Sequence, residues 1–342
     1  MHANNAADAD AERILITGAS GFVGRHLLDA LLSTAAPLDV HALVRTDPEG
    51  LARLYPGRLR CHRGDLLERA ELGRLVATLT PTRVFHLAAD SRIGLSWADP
   101  ARCIAQNVIG TANLLGALEA CGRPPSLLLL GSADEHSRIE QMPIGPASPL
   151  APSSPYGVSK ASQKLLCDVY ARSFGLDVRR LIAFNLVGPG PATNTAMADF
   201  AKQIALIERG RQPPTIRVGN LSARRVWLDV RDAVQAILAV ARAGHAGGTY
   251  VLGTAAEPRS VRDCLDVLVG LSSCAGAIEI VVDEARYRPL DVPSISGEHE
   301  EIRREVGWRP VVTLEASLRD TLDFWRDVVS RELAGAYTET RP

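Results

Sequence analysis

The sequence predicts an α/β fold that is built on a doubly wound parallel sheet. Two observations support this prediction. Short strand-like runs alternate with helical patterns from residue 13 through residue 183, and the first strand leads directly into a glycine-rich turn and a helix. Alternation of this kind is typical of parallel sheets, in which successive strands are joined by helical crossovers. A chain of 342 residues is long enough for one large domain and a smaller one.

The predicted elements follow one another along the chain. Strands are predicted over residues 13–17, 38–44, 83–87, 126–131 and 177–184, with a further short strand before Arg63. Helices are predicted over residues 22–32, 100–121 and 156–174, and an amphipathic pattern over residues 315–326 predicts a closing helix. Five prolines between residues 141 and 155 predict a loop. We interpret this loop as a wall or lid of a cleft, with a plain interdomain linker as the alternative.

The first predicted strand ends at Thr17 and is followed by a glycine-rich turn. The turn has a glycine at every third position and reads Gly18-Ala19-Ser20-Gly21-Phe22-Val23-Gly24. Glycines allow the backbone to turn tightly and to approach a pyrophosphate, whose charge then lies at the amides of the helix N-terminus. The turn therefore predicts a dinucleotide site, and a tight turn without a ligand is the alternative.

Residues after the second and third strands indicate which dinucleotide is bound. An NAD-preferring site usually has an acidic residue after the second strand for the ribose diol, whereas this chain has Arg45 there. Because arginine can pair with a 2′-phosphate, we expect NADP(H) to be preferred, with NAD(H) possible. Asp65, which precedes Leu66 after the third strand, is placed to meet the adenine. A surface charge at position 45 and a turn aspartate at position 65 are the alternatives.

A tyrosine and a lysine four positions apart form the candidate catalytic pair. Tyr156 and Lys160 share one face of a predicted helix. The chain has only three lysines among 38 basic residues, so the pairing is not expected by chance. An ammonium beside a phenol favours the phenolate and brings the phenol pKa nearer to useful acid–base strength. We therefore predict Tyr156 as the proton donor.

Five ordered motifs resemble those of the extended short-chain dehydrogenase/reductase family, and the likeness runs from about residue 13 to residue 325. The motifs are Thr17-Gly-Ala-Ser-Gly-Phe-Val-Gly24, Val84-Phe-His-Leu-Ala-Ala89, Asn107-Val-Ile-Gly-Thr-Ala-Asn-Leu-Leu115, Gly131-Ser-Ala-Asp134 and Tyr156-Gly-Val-Ser-Lys160. The resemblance implies a Rossmann domain at residues 12–185 and 224–253. It also implies a smaller mixed α/β substrate domain at residues 186–223 and 254–330, and a homodimer or homotetramer built on the helices at 100–121 and 156–174.

The resemblance implies a role for each motif. Ser132 would hydrogen-bond the sugar oxygen, Tyr156 would donate or remove its proton, and Lys160 would hold the nicotinamide ribose and tune the tyrosine. Asn107 would support the active-site helix, and the cofactor would also contact Leu66, Leu87, Ala88 and Ala89. Hydride chemistry needs the same groups, because a ketone that gains hydride develops negative charge on oxygen and requires hydroxyl donors and a proton source.

Segments of the C-terminal half resemble the nucleotide-binding segments of reductases that act on GDP-4-keto-6-deoxy-mannose, with GDP-mannose 4,6-dehydratases next. These segments lie at residues 184–190, 203–210, 218–221, 225–232 and 286–291. By resemblance, the substrate would contact Ser91, Asn185, Arg225, Arg286 and Arg288. Arginine suits bidentate binding of phosphate. We therefore predict NADPH-dependent reduction of the 4-keto group of a nucleotide-linked, GDP-linked, 6-deoxy sugar in deoxysugar or surface-glycan biosynthesis.

Other functions on the same fold are alternatives. A 4,6-dehydratase needs an additional carboxylate near Ser132 as acid and base, which Asp134 or Glu135 could supply. We assign Asp134 to the candidate catalytic set. A 4-epimerase needs a tightly retained NAD, which the arginine after the second strand disfavours. A dinucleotide-sensing regulatory protein is disfavoured because the serine, tyrosine and lysine are all present.

Two departures from the family pattern bear on substrate choice. His136 stands where relatives usually have a tyrosine, and Arg225-Val226-Trp227 replaces the more usual Arg-Asp-Phe. A loop histidine of this kind is more often packed or solvated than catalytic. We expect both changes to alter the choice of substrate and to leave hydride transfer intact.

Composition excludes several classes of function. The formal net charge of −1 gives no basic field for nucleic acid, and no apolar run approaches the roughly 20 residues of a membrane span. Six scattered cysteines without a Cys-x-x-Cys pair predict reduced thiols and a cytoplasmic location, and the eight histidines show no metal-ligand spacing. Residues 1–11 are polar and acidic, unlike a signal peptide, and are predicted to be disordered.

Overall fold

The structure is a computed structural model that describes residues 12–138, 140–190, 195–287 and 289–334. The predicted disorder of residues 1–11 and the predicted substrate contact Arg288 lie outside these ranges.

The described strands group into one large sheet and three small ones. In chain order they are β1 (Glu12–Thr17), β2 (Leu38–Val44), β3 (Leu59–Arg63), β4 (Arg83–His86), β5 (Ser126–Ser132), β6 (Val178–Ala183), β7 (Asn185–Val187), β8 (Thr215–Val218), β9 (Arg224–Arg225), β10 (Trp227–Asp229), β11 (Thr249–Val251), β12 (Arg259–Ser260), β13 (Glu279–Val282) and β14 (Ser294–Ile295).

The described helices are mostly the crossovers between these strands. The α-helices are α1 (Phe22–Leu32), α2 (Pro48–Leu54), α3 (Arg69–Leu79), α4 (Ile93–Ala98), α5 (Pro100–Ile104), α6 (Gly110–Glu119), α7 (Pro155–Phe174), α8 (Ala196–Glu208), α9 (Val230–Ala243), α10 (Val261–Gly270), α11 (Glu300–Val306) and α12 (Leu314–Leu333). A π-helical segment spans Ala105–Ile109, and short 3₁₀ segments span Ala133–His136, Ala275–Ala277 and Glu284–Arg286. None of the helices in the described part of the chain is long and apolar enough to cross a bilayer.

The large sheet has seven strands in the order β11-β6-β5-β4-β1-β2-β3. Every neighbouring pair in it is parallel. The chain order reverses between β1 and β4, which is the switch point at which ligands bind in sheets of this type. The prediction of a doubly wound parallel sheet is therefore confirmed.

Helices cover both faces of the sheet and bury its apolar residues. On one face α1 and α9 pack through residues such as Leu28 and Ile237, and on the other face α3, α6 and α7 pack through residues such as Val76 and Leu115. A separate core joins α8, α10 and α12 around β8 and contains Trp325. Parallel strands buried on both faces need continuous apolar runs, which explains why these strands were predictable from the sequence.

One predicted helix is interrupted in the structure. The single helix predicted over residues 100–121 is divided into α5, a π-helical turn at Ala105–Ile109, and α6. The predicted closing helix is longer than the 315–326 expected, because α12 runs over Leu314–Leu333. Its apolar stripe continues through Val328 and Val329, which pack in the core with α8.

The proline-rich loop predicted between residues 141 and 155 is attached at two places. Ile144 is fully buried and forms a parallel bridge with Gly297, and its amide donates to the Ser296 carbonyl at 2.8 Å. Ala151 donates from its amide to the Glu135 carbonyl at 2.8 Å. The loop therefore joins the segment that follows β5 to the segment that follows β14.

Candidate active site

The candidate site lies at the carboxyl edge of the large sheet. In the parallel register, Thr17 at the end of β1 pairs with His86 at the end of β4, and Ser132 at the end of β5 pairs with Ala183 at the end of β6. Because all these strands run in the same direction, the residues that follow them meet at one edge. The glycine turn follows β1 at this edge.

The glycine turn is built for close approach of backbone. Gly18 has a φ of +78°, and a Cβ at this position would lie 2.6 Å from the amide nitrogen of Ala88. A Cβ on Gly24 would lie 2.2 Å from the Gly18 carbonyl oxygen. Gly21 is the N-cap of α1 and provides no side-chain cap, so the first amides of the helix keep their donors for another acceptor. Ser20, Phe22 and Val23 complete the turn, and their predicted contacts with the cofactor stay predictions.

Arg45 and Asp65 lie together beyond the ends of β2 and β3. The Arg45 guanidinium donates to the Gln106 side chain at 2.9 Å and lies 4.0 Å from the Asp65 carboxylate. About half of the Arg45 side chain is exposed (51%), so the guanidinium can accept a further anionic partner. Asp65 also accepts from the Leu67 amide at 3.0 Å. This is the geometry expected of a turn aspartate, the alternative given for this position. Leu66 is buried against Gly110.

The residues after β4 face the glycine turn. Leu87 donates from its amide to the Thr17 carbonyl at 3.1 Å, and Ala88 lies next to Gly18. Ala89 follows them. The structure thus brings together the segments that were predicted to line the cofactor site.

Asn107 lies in the π-helical turn and connects three segments. Its side-chain oxygen accepts from the Asp90 amide at 2.7 Å, and its side-chain nitrogen donates to the Ser159 hydroxyl at 2.8 Å. Ser159 in turn donates to the Tyr156 carbonyl at 2.7 Å. This arrangement is the one that a supporting role for Asn107 requires.

Tyr156 is positioned by the beginning of α7. The helix starts because Ser154 accepts the Gly157 amide at 3.0 Å as N-cap and Pro155 occupies the first turn. The Tyr156 phenol is buried and lies beside the Ser132 side chain. Burial, and after it the charge of Asp134, raise the pKa of the phenol, while the Ser132 side chain acts in the opposite direction. The phenol is therefore protonated at neutral pH.

Lys160 bonds to the sheet and to its own helix. Its ammonium donates to the Leu130 carbonyl at 2.7 Å and to the Gln163 side-chain oxygen at 2.8 Å. Burial lowers the pKa of Lys160 to about 8, and the charge of Glu135 opposes this. The sequence predicted that the lysine would lower the pKa of Tyr156. In the structure the phenol pKa is raised instead. Burial and the charges of Asp134 and Glu135 raise it by more than the Ser132 side chain lowers it.

The two acids after Ser132 differ in their surroundings. The Ser132 hydroxyl donates to the Asp134 carboxylate at 3.4 Å and accepts from the Asp134 amide at 3.2 Å. Glu135 is fully buried and forms an ion pair with Arg180 of β6. The Asp134 carboxylate is therefore the acid that contacts the Ser132 hydroxyl, whereas the Glu135 carboxylate is paired with Arg180. The choice between them as an acid and base stays a prediction.

His136 is a packed histidine. It is fully buried, and its Nδ1 bonds the Pro149 carbonyl at 2.8 Å. Burial lowers its pKa, so the ring is neutral. The ring therefore joins the loop after β5 to the proline-rich loop.

The predicted substrate residues lie on several separate segments of the chain. Asn185 is exposed and begins β7, two residues beyond the partner of Ser132 in the sheet register. Arg225 is buried and pairs with Asp291, and Arg286 pairs with Asp199. These two guanidinium groups bind carboxylates of the C-terminal half rather than the Ser132–Tyr156 pair. Ser91 is exposed after β4. Their contacts with a substrate stay predictions.

Sequence reasoning missed three polar side chains that surround Lys160. Gln163 accepts from the ammonium and donates to Thr111 at 2.6 Å and to the Asn107 carbonyl at 3.0 Å. Its position three residues after Lys160 on one helix was an available signal. His86 bonds Thr17 and Thr111, and burial lowers its pKa to about 3. Arg180 carried no local signal, because its partner lies 45 residues away.

Within the described ranges, no three His, Cys, Asp or Glu side chains lie together as metal ligands.

The fold is that of an extended short-chain dehydrogenase/reductase. The model of one family, GDP-mannose 4,6 dehydratase, matches residues 15–321. The chain belongs to this family, which confirms the resemblance drawn from the sequence motifs.

The similar proteins are named for different activities, reductase and dehydratase. A GDP-6-deoxy-D-mannose reductase of Pseudomonas aeruginosa is 33% identical over 323 residues, which cover 94% of this chain and 99% of the relative. A dTDP-glucose 4,6-dehydratase of Streptomyces griseus is 33% identical over 322 residues, or 91% of this chain and 93% of the relative. The structure of RMD from Pseudomonas aeruginosa complexed with NADPH matches with a TM-score of 0.79 and 32% identity over 93% of this chain and 99% of that one.

Proposed function

We propose that the protein is an NADPH-dependent reductase of the 4-keto group of a GDP-linked 4-keto-6-deoxy sugar, in deoxysugar or surface-glycan biosynthesis. The named reductase covers almost the whole of this chain, and the matching structure of RMD contains NADPH. Both likenesses support a nucleotide-sugar oxidoreductase.

The observation that carries the proposal is the buried Ser132–Tyr156 pair. A ketone that is reduced needs a hydrogen-bond donor for its oxygen and an acid that delivers a proton. Burial raises the pKa of the Tyr156 phenol and so keeps its proton available at neutral pH. Ser132 lies beside the same phenol and would supply a second hydroxyl at the place where the ketone oxygen would bind.

The residues of the site fit a bound NADP(H). Any side chain on Gly18 or Gly24 would collide with backbone, so the turn leaves its backbone open to a pyrophosphate. The first amides of α1 have no side-chain cap and could donate to the same anion. The half-exposed Arg45 would bind the 2′-phosphate, which distinguishes NADP from NAD. NADPH would supply the hydride.

The chain's own residues account for the remaining chemistry. The Tyr156 phenol would donate its proton to the developing alkoxide, and the Ser132 hydroxyl would hold that oxygen beside it. The Lys160 ammonium is held by the Leu130 carbonyl and Gln163 and would stabilise the phenolate that remains. Burial of the three side chains excludes water and strengthens these interactions.

A 4,6-dehydratase is the second candidate, and Asp134 favours it. The Asp134 carboxylate lies 3.4 Å from the Ser132 hydroxyl, where an acid and base for loss of water would be needed. The dehydratase from Streptomyces griseus has the same identity to this chain as the reductase.

Two substrates separate these candidates in one experiment. The purified protein would be given NADPH with GDP-4-keto-6-deoxy-mannose, and in parallel GDP-mannose alone, with product masses measured. We expect stoichiometric NADPH consumption with the keto sugar and a product that is two hydrogen atoms heavier. Water loss from GDP-mannose without net NADPH consumption would instead establish the dehydratase.

The domain division and the assembly are part of the same proposal. The bounds 12–185 with 224–253 and 186–223 with 254–330 are supported by β11, which joins the large sheet, and by the separate core of α8, α10 and α12. We propose a homodimer through α7, whose exposed side chains Val158, Leu165 and Val169 lie on one helix face. A cytoplasmic location is supported by the six cysteines, which are all free thiols.

A further inference from the structure

A buried ion pair lies directly behind the candidate catalytic serine. Glu135 is fully buried, and the Arg180 side chain is only 4% exposed. The pair links the 3₁₀ turn after β5 to the neighbouring strand β6. A buried ion pair is weak evidence for stability, because desolvation of both charges offsets their attraction. Its presence beside Ser132 therefore suggests a different use.

Glu135 divides its two carboxylate oxygens between two tasks. Oε1 accepts the backbone amide of Ser132 at 2.7 Å, and Oε2 binds the Arg180 guanidinium. Gly131 makes this approach possible, because a Cβ at that position would lie 2.8 Å from the same Oε1. The Glu135 carboxylate therefore holds the backbone of Ser132, the residue that carries the hydroxyl.

Arg180 is a fixed support for that carboxylate. It lies in the interior of β6, which is paired on one side with β5 and on the other with β11. Its Nε and Nη1 atoms have no hydrogen-bond partner among the described residues, so its interaction with Glu135 is its principal polar contact there. The rigid sheet therefore determines where Glu135, and through it Ser132, lies.

The end of β5 is held from a second direction by Lys160. Its ammonium binds the Leu130 carbonyl, two residues before Ser132. Lysine and glutamate therefore hold the same short stretch of backbone through two bonds of opposite polarity, one to a carbonyl and one to an amide.

We propose that Glu135, anchored by Arg180, is a positioning residue that places the Ser132 hydroxyl against the ketone oxygen and Tyr156. The step from serine placement to turnover rests on the proposed function. A misplacement of a catalytic group by about 1 Å can reduce the rate by about 100-fold, so loss of this support is expected to lower kcat and to leave nucleotide binding unchanged.

The test uses two double variants, because a single change would leave an uncompensated buried charge. Glu135→Leu with Arg180→Met removes the ion pair and the acceptor of the Ser132 amide. Glu135→Gln with Arg180→Met also removes the pair but keeps a side-chain oxygen as acceptor. Both variants would be compared with the unchanged protein in kcat, KM, NADPH affinity, thermal unfolding and hydrogen exchange of the Ser132 amide.

We expect the leucine variant to lose kcat by about tenfold or more, with KM and NADPH affinity within about twofold. The glutamine variant should recover part of that loss, because it keeps the acceptor for the Ser132 amide but lacks the Arg180 anchor. We also expect the Ser132 amide to exchange about tenfold faster in the leucine variant alone. Equal kcat in a folded leucine variant, or equal loss in both variants, would overturn the proposal.

Hydrogen exchange separates this inference from the proposed function. If the unchanged protein reduces no keto sugar, the proposed function fails, whereas the exchange rates still decide whether Glu135 fixes Ser132. Unchanged exchange in the leucine variant would reject the positioning role irrespective of the substrate.

Discussion

Tyr156 and Lys160 share one buried site, and burial shifts their pKa values in opposite directions. Burial penalises the charged form of each group, so the phenol pKa is raised and the lysine pKa is lowered to about 8. At neutral pH the phenol is protonated and the lysine is charged. This pair of states suits the delivery of a proton to a reduced ketone.

Replacement of Tyr156 by phenylalanine removes the proton donor and keeps the ring. We expect Tyr156→Phe to lower kcat by about 100-fold to 10,000-fold, because general acid catalysis contributes that much. NADPH affinity should be unchanged, and titration of the cofactor into both proteins measures it. Unchanged turnover in the variant would exclude the tyrosine mechanism.

Lys160 should make stability depend on pH in the alkaline range. The folded lysine loses its proton near pH 8, while the unfolded lysine keeps it up to its ordinary pKa of 10.5. Between these values the unfolded state binds more protons, so the contribution of this group to the free energy of unfolding rises with pH. The cost of the buried charge is complete below pH 8 and disappears as the pH increases.

Urea unfolding between about pH 7 and pH 10 measures this effect against a variant. We expect the unfolding free energy of the unchanged protein to rise relative to that of Lys160→Met over this range. The matched control is Lys164→Met, which removes a partly exposed lysine of the same helix. A constant difference between the unchanged protein and Lys160→Met would contradict the prediction.

Side chains that are close in sequence could be predicted, and those that are distant could not. Tyr156 and Lys160 form a helical i, i+4 pair, and Ser132 followed from a motif. The Glu135–Arg180 pair joins residues on different elements, and neither position shows a local pattern. The pKa of Tyr156 also depended on burial, which the sequence does not report.

At the scale of elements, the turn between β1 and α1 tolerates no added atoms. We expect Gly24→Ala to weaken NADPH binding by about tenfold or more and to lower the midpoint of thermal unfolding, because its Cβ would lie 2.2 Å from the Gly18 carbonyl oxygen. Titration calorimetry and thermal unfolding are the measurements.

Gly73 is the matched control for that substitution. It lies within α3, and a Cβ there would meet nothing within 4 Å. Gly73→Ala should therefore stabilise the helix by about 0.5–1 kcal/mol and leave NADPH binding unchanged. Similar losses in both variants would show that the collision at Gly24 is not the cause.

Strands were easier to predict than the interrupted helix. Strand β2 has the predicted bounds Leu38–Val44, because residues 40–44 are mostly apolar and are all buried, as in a parallel strand that is covered on both faces. The π-helical turn at Ala105–Ile109 has no comparable pattern. It contains Asn107, whose bonds to Asp90 and Ser159 lie outside the helix, so its geometry depends on tertiary contacts.

At the scale of the whole molecule, the exposed apolar face of α7 predicts self-association. We expect Leu165→Asp with Val169→Asp to convert a dimer into monomers, because two charges would enter an apolar interface. Light scattering after gel filtration measures the mass. Val311→Asp changes an exposed valine outside this face and should leave the mass unchanged. A monomeric unchanged protein would reject the proposed dimer.

The strand order of the large sheet was harder to predict from the sequence than the fold class. Alternating strands and helices predicted parallel pairing, but the pairing of β11 with β6 joins segments that are separated by β7 to β10. Only the family resemblance indicated that the chain would return to the sheet after Asn185. The separate core around Trp325 likewise assembles from α8, α10 and α12, which are far apart along the chain.

The late arrival of β11 has a consequence for synthesis on the ribosome. In a nascent chain that has emerged only as far as β10, strand β6 is an unpaired edge of the sheet. The Arg180 amide, which donates to the Gly248 carbonyl at 2.8 Å in the folded protein, then has no such partner. Open strand edges pair readily with other chains. Chaperone protection during translation should therefore matter most in the interval before Thr249–Val251 emerges.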